Sequence, residues 1–244
     1  MKTCIIIPVY NHEAAIPHVL VKLKNFGIPT LLVNDGSSAL CSQILADCVE
    51  REPNWLTLIH RSENGGKGAA VLDGFKAAEA MGFSHAIQID ADGQHDVGDI
   101  PAFLDAGRQH LEALVLGQPQ FDETAPKSRV YGRTIANLWV WINTLSLAVA
   151  DSMCGFRLYP LAAVAKLADG TDIARGMDFD IDILVRLYWQ GVEVVNIPTR
   201  VNYPYDGVSH FKLWRDNLMI SKTHAKLFFG MLKRIPQLLS RHRP

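Results

Sequence analysis

Residues 89–96 read IDADGQHD, an apolar run ending in Asp90 and Asp92 with Gln94, His95 and Asp96 close behind. Hard divalent ions take oxygen ligands, and Mg2+ or Mn2+ is commonly held by one or two carboxylates together with substrate phosphates. If the chain turns after Asp90, helped by Gly93, both acids converge on one such cation. The competing reading is a polar turn, where Asp and Gly are common. VNDGS (33–37) offers the same choice. Asp35-Gly36 after an apolar strand is an ordinary way to turn; alternatively, Asp35 accepts hydrogen bonds from a nucleobase or ribose. ENGGKGAA (63–70) is glycine-rich ahead of a helix but lacks GxxxxGK[ST], so it is not a P-loop. It is either a loop and a helix start, or a place where backbone N–H groups and Lys67 approach an anion.

Asp180 and Asp182, in FDIDILVRLYWQG, fall at another helix start. Acids there complement the helix dipole, or one of the two is the general base that deprotonates an acceptor hydroxyl. An acceptor that is already a phosphate anion requires no strong base. Lys127, Arg129, Arg133 and Arg157 are candidates for holding an anionic acceptor such as a lipid phosphate, since Arg can grip phosphate oxygens bidentately. For three of them the alternative is a solvated helix face.

These groups need elements to position them. CIIIPVY, TLLVNDGS, WLTLIH, HAIQID and EALVLG read as short buried strands. Between them, the spacing predicts a helix capped by Asn11, with Pro17 in its first turns, Ile16, Val19, Leu20 and Leu23 on one face and its end at Gly27. Further helices are expected over 40–51, from GGKG onward with Ala70, Leu72, Phe75 and Ala78 as the apolar face, and over 100–110. Strands alternating with helices of this length argue βαβ units and a mostly parallel sheet, with ligands outside the carboxyl ends of the strands. PVYN, VNDGS and IDADGQHD all sit at such ends. The second half reads as a long helix over 128–149, the segment DSMCGFRLYP, the helix FDIDILVRLYWQG, the strand VEVVNIP and a C-terminal helix from about Phe211.

At 244 residues the chain is long enough for one large α/β domain, and no repeat or linker demands a second. The net charge of −1 hides an uneven distribution: residues 207–244 carry eight Lys/Arg against the single Asp216, while the other residues are acidic in balance. A basic tail on an acidic body suggests an anionic partner. Cys4, Cys41, Cys48 and Cys154 show no metal spacing and, with no secretory signal in MKTCIIIPVY, read as reduced cytoplasmic thiols. The longest uncharged run, TIANLWVWINTLSLAVA (134–150), is 17 residues with two Asn, short of the ~20 residues of a membrane span. It reads as a buried or membrane-facing helix. In the tail, Trp214, Leu218, Ala225, Phe228, Leu232 and Leu239 follow helical spacing on one face, with Arg215, Lys222, Lys226 and Lys233 alongside and Pro236 ending or kinking the helix. That is the pattern of an interfacial membrane helix, or of a helix packed on the domain with a solvated basic side.

Taken together, IIIPVYN (5–11), VNDGS, ENGGKGAA, DADGQH (90–95), CGFR (154–157) and FDID (179–182), in this order, resemble the family 2 glycosyltransferases of GT-A fold, most closely the branch that includes dolichyl-phosphate-mannose synthase. The resemblance implies an α/β, Rossmann-like, mostly parallel sheet flanked by helices. It implies a nucleotide-sugar donor, with Pro8, Tyr10 and Asn11 at the base pocket, Asp35 on the base or ribose, and Lys67 and Asp90 toward the diphosphate. Asp90 and Asp92, with Gln94 nearby, would hold Mg2+ or Mn2+. Arg129, Arg133 and Arg157 would face the acceptor, with Asp180, Asp182 and Arg157 as the catalytic candidates. Where that branch commonly has Gly-Ser-Arg after the fifth strand, this chain has Gly117-Gln118-Pro119.

The expectation is a glycosyltransferase domain over 1–210 and a basic amphipathic helix over 211–244, touching an anionic membrane through 211–235. The enzyme would be cytoplasmic, peripheral on the inner face of the membrane, and would transfer a hexose with inversion from a UDP- or GDP-sugar to a lipid or lipid-linked acceptor. No nucleic acid partner is expected. The alternatives are a sugar nucleotidyltransferase, whose Gly-rich loop after strand one is replaced here by PVYNHEAA, and an inactive nucleotide-sugar-binding protein.

Overall fold

The structure is a computed structural model describing residues 1–120, 127–201 and 211–241, with residues 127–130 described by backbone alone. Seven strands form one sheet: β1 (Thr3–Val9), β2 (Thr30–Asp35), β3 (Leu56–Arg61), β4 (His85–Gln88), β5 (Leu114–Gln120), β6 (Arg157–Pro160) and β7 (Val194–Arg200). Their order is β3-β2-β1-β4-β6-β5-β7, parallel except for β6, which runs antiparallel to both neighbours. The expected parallel sheet is there, with β6 drawn from DSMCGFRLYP as an added strand.

The apolar runs are buried on both faces, as crossover helices require. Alternate residues of β1 feed opposite layers. Cys4 and Ile6 join the layer of α3 (Lys67–Ala80), α5 (Lys127–Thr144), α6 (Leu161–Ala168) and α7 (Phe179–Trp189). Ile5, Ile7 and Val9 join that of α1 (Ile16–Lys24), α2 (Ala39–Arg51) and α4 (Ile100–Gln109). The β1–β4 ladder ends at the Ile6–Gln88 pair. Pro8 therefore lies beyond it, and its missing N–H breaks no bond to β4. On one side of β1 the chain goes to β2, and on the other to β4. This divergence opens a crevice at the carboxyl ends, where open α/β sheets bind ligands.

Asn11 does not cap α1, which begins at Ile16 after Ala15. Its φ of 53° turns it toward the next crossover, where Oδ1 accepts from Ser38 N at 2.7 Å and its own N–H donates to Ser37 Oγ at 3.2 Å. Asn tolerates this left-handed backbone because its short polar side chain bonds locally. Asn11 thus ties the end of β1 to the turn after β2.

The C-terminal segment is α8 (Leu213–Leu232) and α9 (Ile235–Ser240). Pro236 stands in the first turn of α9, where proline is tolerated. The face of α8 that packs on α5 and α7 is Ile220, Thr223, His224, Leu227 and Met231, not the stripe picked out by spacing. Thr223 Oγ1 donates to Asp178 Oδ2 at 2.5 Å, a buried polar tie from α8 to the start of α7. Trp214 (89% exposed), Leu218 and Leu232 point outward, while Phe228 is partly buried against the core. Two of the tail's cations are engaged internally: the Arg234 guanidinium lies over the Trp189 ring at 4.5 Å, and Arg241 donates to the carbonyls of Tyr188 and Gly191. Cations at these last carbonyls of α7 complement its dipole. Among the described residues, no helix is long and apolar enough to cross a membrane.

Candidate active site

The carboxyl ends of β1, β2 and β4 converge on a cleft of about 1450 Å3. Pro8, Tyr10, Asp35, Lys67, Asp90, Asp92 and Gln94 line it, together with Ile135, Ala136 and Trp139 of α5 and Ile220 and Ala225 of α8. The sequence-predicted donor and metal residues are therefore brought together, apart from Asn11, which belongs to the neighbouring turn.

Asp35 closes β2 and is 2% exposed. Its carboxylate accepts from Arg61 Nη1 (2.5 Å), Gly65 N (3.0 Å) and Gly66 N (2.9 Å). It thereby clamps the glycine loop against the end of β2. Gly66 has φ 94°, and a Cβ there would meet the Arg175 carbonyl at 2.7 Å, so glycine is required. The clamp sets where α3 begins and hence where Lys67 points.

Lys67 Nζ lies 2.7 Å from Asp90 Oδ1 and 2.7 Å from Asp180 Oδ2. Burial opposes its charge, but Asp180 and then Asp90 outweigh that and hold the ammonium well above the usual lysine range. Burial likewise opposes the Asp90 charge; Lys67 and His95 outweigh it and hold the carboxyl far below the usual carboxylate range. His95 Nε2 is 3.5 Å from Asp90 Oδ2, and its ring packs on Phe156. Behind Asp90, a Cβ on Gly155 would fall 2.2 Å from Oδ2. The glycine of CGFR is what lets Asp90 lie flat against that segment.

Asp92 is half-buried, with Oδ1 accepting from Gln94 N at 3.0 Å. Asp90 Oδ1 is buried with no hydrogen bond of good geometry among the described residues. It keeps acceptor capacity beyond its ion pair with Lys67. Two carboxylates and an amide oxygen on one cleft wall suit a hard divalent ion completed by phosphate oxygens. Among the described residues, no cluster of three His, Cys, Asp or Glu side chains could hold an ion alone.

The other predicted groups have different surroundings. Asp182 is 1% exposed, with Oδ1 on Arg186 Nε (2.7 Å) and Oδ2 accepting from Ala174 N (2.9 Å); it fixes the loop before α7. Asp180 is 5% exposed, bound by Lys67 and by Gln88 Nε2 at 3.1 Å. Arg157, expected at the acceptor, is fully buried. It donates from Nε to Cys154 O (2.7 Å), from Nη1 to Asp180 O (2.6 Å) and from Nη2 to Ser152 O (2.7 Å). It is an internal tie between β6, the segment before it and α7. Arg133 lines the cleft and pairs with Asp151 at 2.7 Å, while the Arg129 side chain lies outside the described residues. The cleft also takes in Asn64, Lys212 and Arg215. Asn64 stands in ENGGKGAA and Lys212 in the basic tail without being singled out there, and Arg215 reads only as part of a basic stripe.

The glycosyl transferase family 2 model matches residues 4–182. Curated relatives include a polyprenol monophosphomannose synthase from Mycolicibacterium smegmatis, 27% identical over 85% of this chain and 80% of its own length. An undecaprenyl-phosphate mannosyltransferase from Micrococcus luteus is 27% identical over 81% of this chain and 82% of its own length. Among solved structures, mannosyl-3-phosphoglycerate synthase from Rubrobacter xylanophilus superposes with a TM-score of 0.67 at 13% identity, over 100% of this chain and 78% of that one. Glucosyl-3-phosphoglycerate synthase from Mycobacterium tuberculosis, in complex with Mn2+, UDP and glucosyl-3-phosphoglycerate, gives 0.63 at 14% identity, over 94% and 79%. At that identity the structural likeness speaks for the fold, the mostly parallel GT-A-like sheet. The chain belongs to glycosyl transferase family 2, on the side of the dolichyl-phosphate-mannose synthase-like branch its motifs indicated, and is a glycosyltransferase.

Proposed function

We propose that this enzyme moves a hexose, with inversion, from a UDP- or GDP-sugar to a lipid-phosphate acceptor, assisted by Mg2+ or Mn2+. The observation that carries the reading is one cleft lined both by the acids and lysine at the strand ends (Asp35, Lys67, Asp90, Asp92) and by apolar side chains of α5 and α8 (Ile135, Trp139, Ile220). Its volume exceeds the roughly 300–1,000 Å3 of an ordinary small-molecule site, as two substrates require. The names of the curated relatives, a polyprenol monophosphomannose synthase and an undecaprenyl-phosphate mannosyltransferase, support the acceptor class. The Mn2+ and UDP of a structural neighbour support the donor and metal.

In this reading Pro8 and Tyr10 flank the base and Asp35 meets base or ribose with the acceptor capacity its loop contacts leave. Asp90, Asp92 and Gln94 would hold the cation, which when bound neutralises charge on the departing diphosphate. Lys67 adds an ammonium beside the diphosphate. The acceptor phosphate oxygen attacks the anomeric carbon as the bond from that carbon to the diphosphate breaks, releasing the nucleoside diphosphate. Arg133, which lines the cleft, orients the acceptor phosphate, and Arg129 is kept as the second candidate for that role. Neither Asp180 nor Asp182 lines the cleft, and both carboxylates are engaged. A phosphate acceptor needs no base, so this favours it over a hydroxyl. Residues 1–210 supply most of the catalytic unit and α8 completes its cleft, while the outward side of the basic segment 211–235 meets the inner face of an anionic membrane.

The test is product analysis with UDP- and GDP-sugars and a polyprenyl phosphate. Metal-dependent release of nucleoside diphosphate, with a glycolipid of inverted anomeric configuration, is expected; Asp92→Ala abolishes it without changing the melting temperature. Donor binding without turnover would point to the inactive relative. Pyrophosphate release from a nucleoside triphosphate and a sugar phosphate would point to the nucleotidyltransferase.

A further inference from the structure

The two acids around Lys67 are fixed in place. Asp90 is backed by Gly155, where there is no room for even one more carbon, and Asp180 is held by Gln88 at the first turn of α7. The Lys67 stem is a flexible four-carbon chain following a glycine loop, so the ammonium is the partner that can move. In the free protein it supplies the positive charge that two largely buried carboxylates require. Arg157 is close to Asp180, at 3.9 Å, but its guanidinium is already committed to three backbone carbonyls.

A divalent ion drawing on Asp90 must therefore share that carboxylate with a cation 2.7 Å from it. Like charges at such range repel strongly where water is scarce. With only Asp92 and Gln94 as further protein ligands, the donor set is too small to outweigh that repulsion unaided. A nucleoside diphosphate changes the balance: its oxygens complete the metal's coordination and also attract the Lys67 ammonium, whose three donors exceed the two carboxylates it serves.

Resting on the metal and donor assignments of the proposed function, we infer that Lys67 is the resident counter-cation of the metal site and makes divalent-metal binding conditional on the nucleoside diphosphate. Lys67 is thereby a positioning residue that sets the coupling between two ligands. By linkage, the metal tightens nucleotide binding by the same factor that nucleotide tightens metal binding.

The experiment is Mn2+ titration of the full chain, read as free Mn2+ by electron paramagnetic resonance, alone and with saturating UDP or GDP. In the wild type the productive nucleotide tightens Mn2+ binding by about tenfold or more. In Lys67→Gln, Mn2+ alone binds about tenfold tighter than in the wild type, and the nucleotide effect shrinks to within about threefold. Lys67→Arg, which keeps the charge, retains the wild-type coupling. A structural role alone would weaken metal binding or leave it unchanged. If Lys67→Gln does not fold, the charge-balanced Lys67→Gln/Asp180→Asn variant carries the same expectation. Unchanged or weaker Mn2+ binding in the neutral variant, with wild-type coupling present, overturns the inference and leaves the proposed function standing. Absence of Mn2+ binding by the wild type with either nucleotide overturns both.

Discussion

Arg157→Lys separates a structural tie from an acceptor contact. In the folded protein the guanidinium is fully buried, and its Nε, Nη1 and Nη2 donate to the carbonyls of Cys154, Asp180 and Ser152 at 2.6–2.7 Å. A lysine ammonium is a point donor on a stem that cannot reproduce this fork. It satisfies one of the three carbonyls, and each buried acceptor left without a partner costs roughly 1–3 kcal/mol. The expected loss is thus about 2–6 kcal/mol, a large share of the roughly 5–15 kcal/mol that keeps a protein folded. Urea denaturation followed by far-UV circular dichroism, without ligands, reads this directly as a lower midpoint. At a temperature where both proteins remain folded, the KM for the polyprenyl phosphate changes little, because Arg157 does not line the cleft. An unchanged midpoint with a raised acceptor KM would show that the guanidinium reaches the acceptor, and would refute the structural assignment.

Two other expectations concern the C-terminal helix. His224 of α8 is 4% exposed, with Nδ1 3.4 Å from Asn143 Nδ2 and no partner for Nε2 among the described residues; burial lowers its pKa from 6.5 to about 4. The folded value lies below the unfolded one, so the unfolded chain takes up the proton first. The stability contributed is complete above about pH 6.5, falls as pH drops toward 4 and then levels off, a change of about 3 kcal/mol across that window. Denaturation midpoints at pH 7.5 and pH 4.5 should show His224→Gln losing correspondingly less stability than the wild type. Second, Trp214 and Leu218 point outward and do not line the cleft. Replacing both with Glu should cut flotation with anionic vesicles by at least about tenfold, given roughly 1.5–3 kcal/mol per buried apolar side chain, while hydrolysis of the soluble donor is unchanged; equal flotation would remove the membrane assignment from this face.

The parts of this molecule legible in its sequence are those whose signal is local. Apolar runs broken by Asn, Asn-Asp-Gly or Asp-Gly mark strand ends, which sets PVYN, VNDGS and IDADGQHD at the carboxyl edge of a parallel sheet. β6 escaped because four residues running antiparallel, Arg157–Pro160, offer no periodicity. The packing face of α8 escaped because its contacts include Thr223 and His224, whereas the more apolar stripe is the one left outside.

The charges whose surroundings differ from those expected share one cause: a charged residue type signals water unless a partner far along the chain removes it. Lys67 and Asp180 are 113 positions apart, Gln88 and Asp180 are 92 apart, and no spacing rule connects them. These long-range pairs decide which groups remain available to a substrate. Asp180 and Asp182 look equivalent at a helix start, yet Arg186 and the Ala174 N–H engage Asp182 while Lys67 and Gln88 engage Asp180. Asp90 and Asp92 look equivalent in DADGQH, yet Asp90 is paired with Lys67 while Asp92, among the described residues, makes a local turn contact through one oxygen. Local pattern says which chemistry is carried to the edge of the sheet. The tertiary ion pairs divide that supply: Asp90 shares one lysine with Asp180, whereas the described contact of Asp92 is a turn within its own loop.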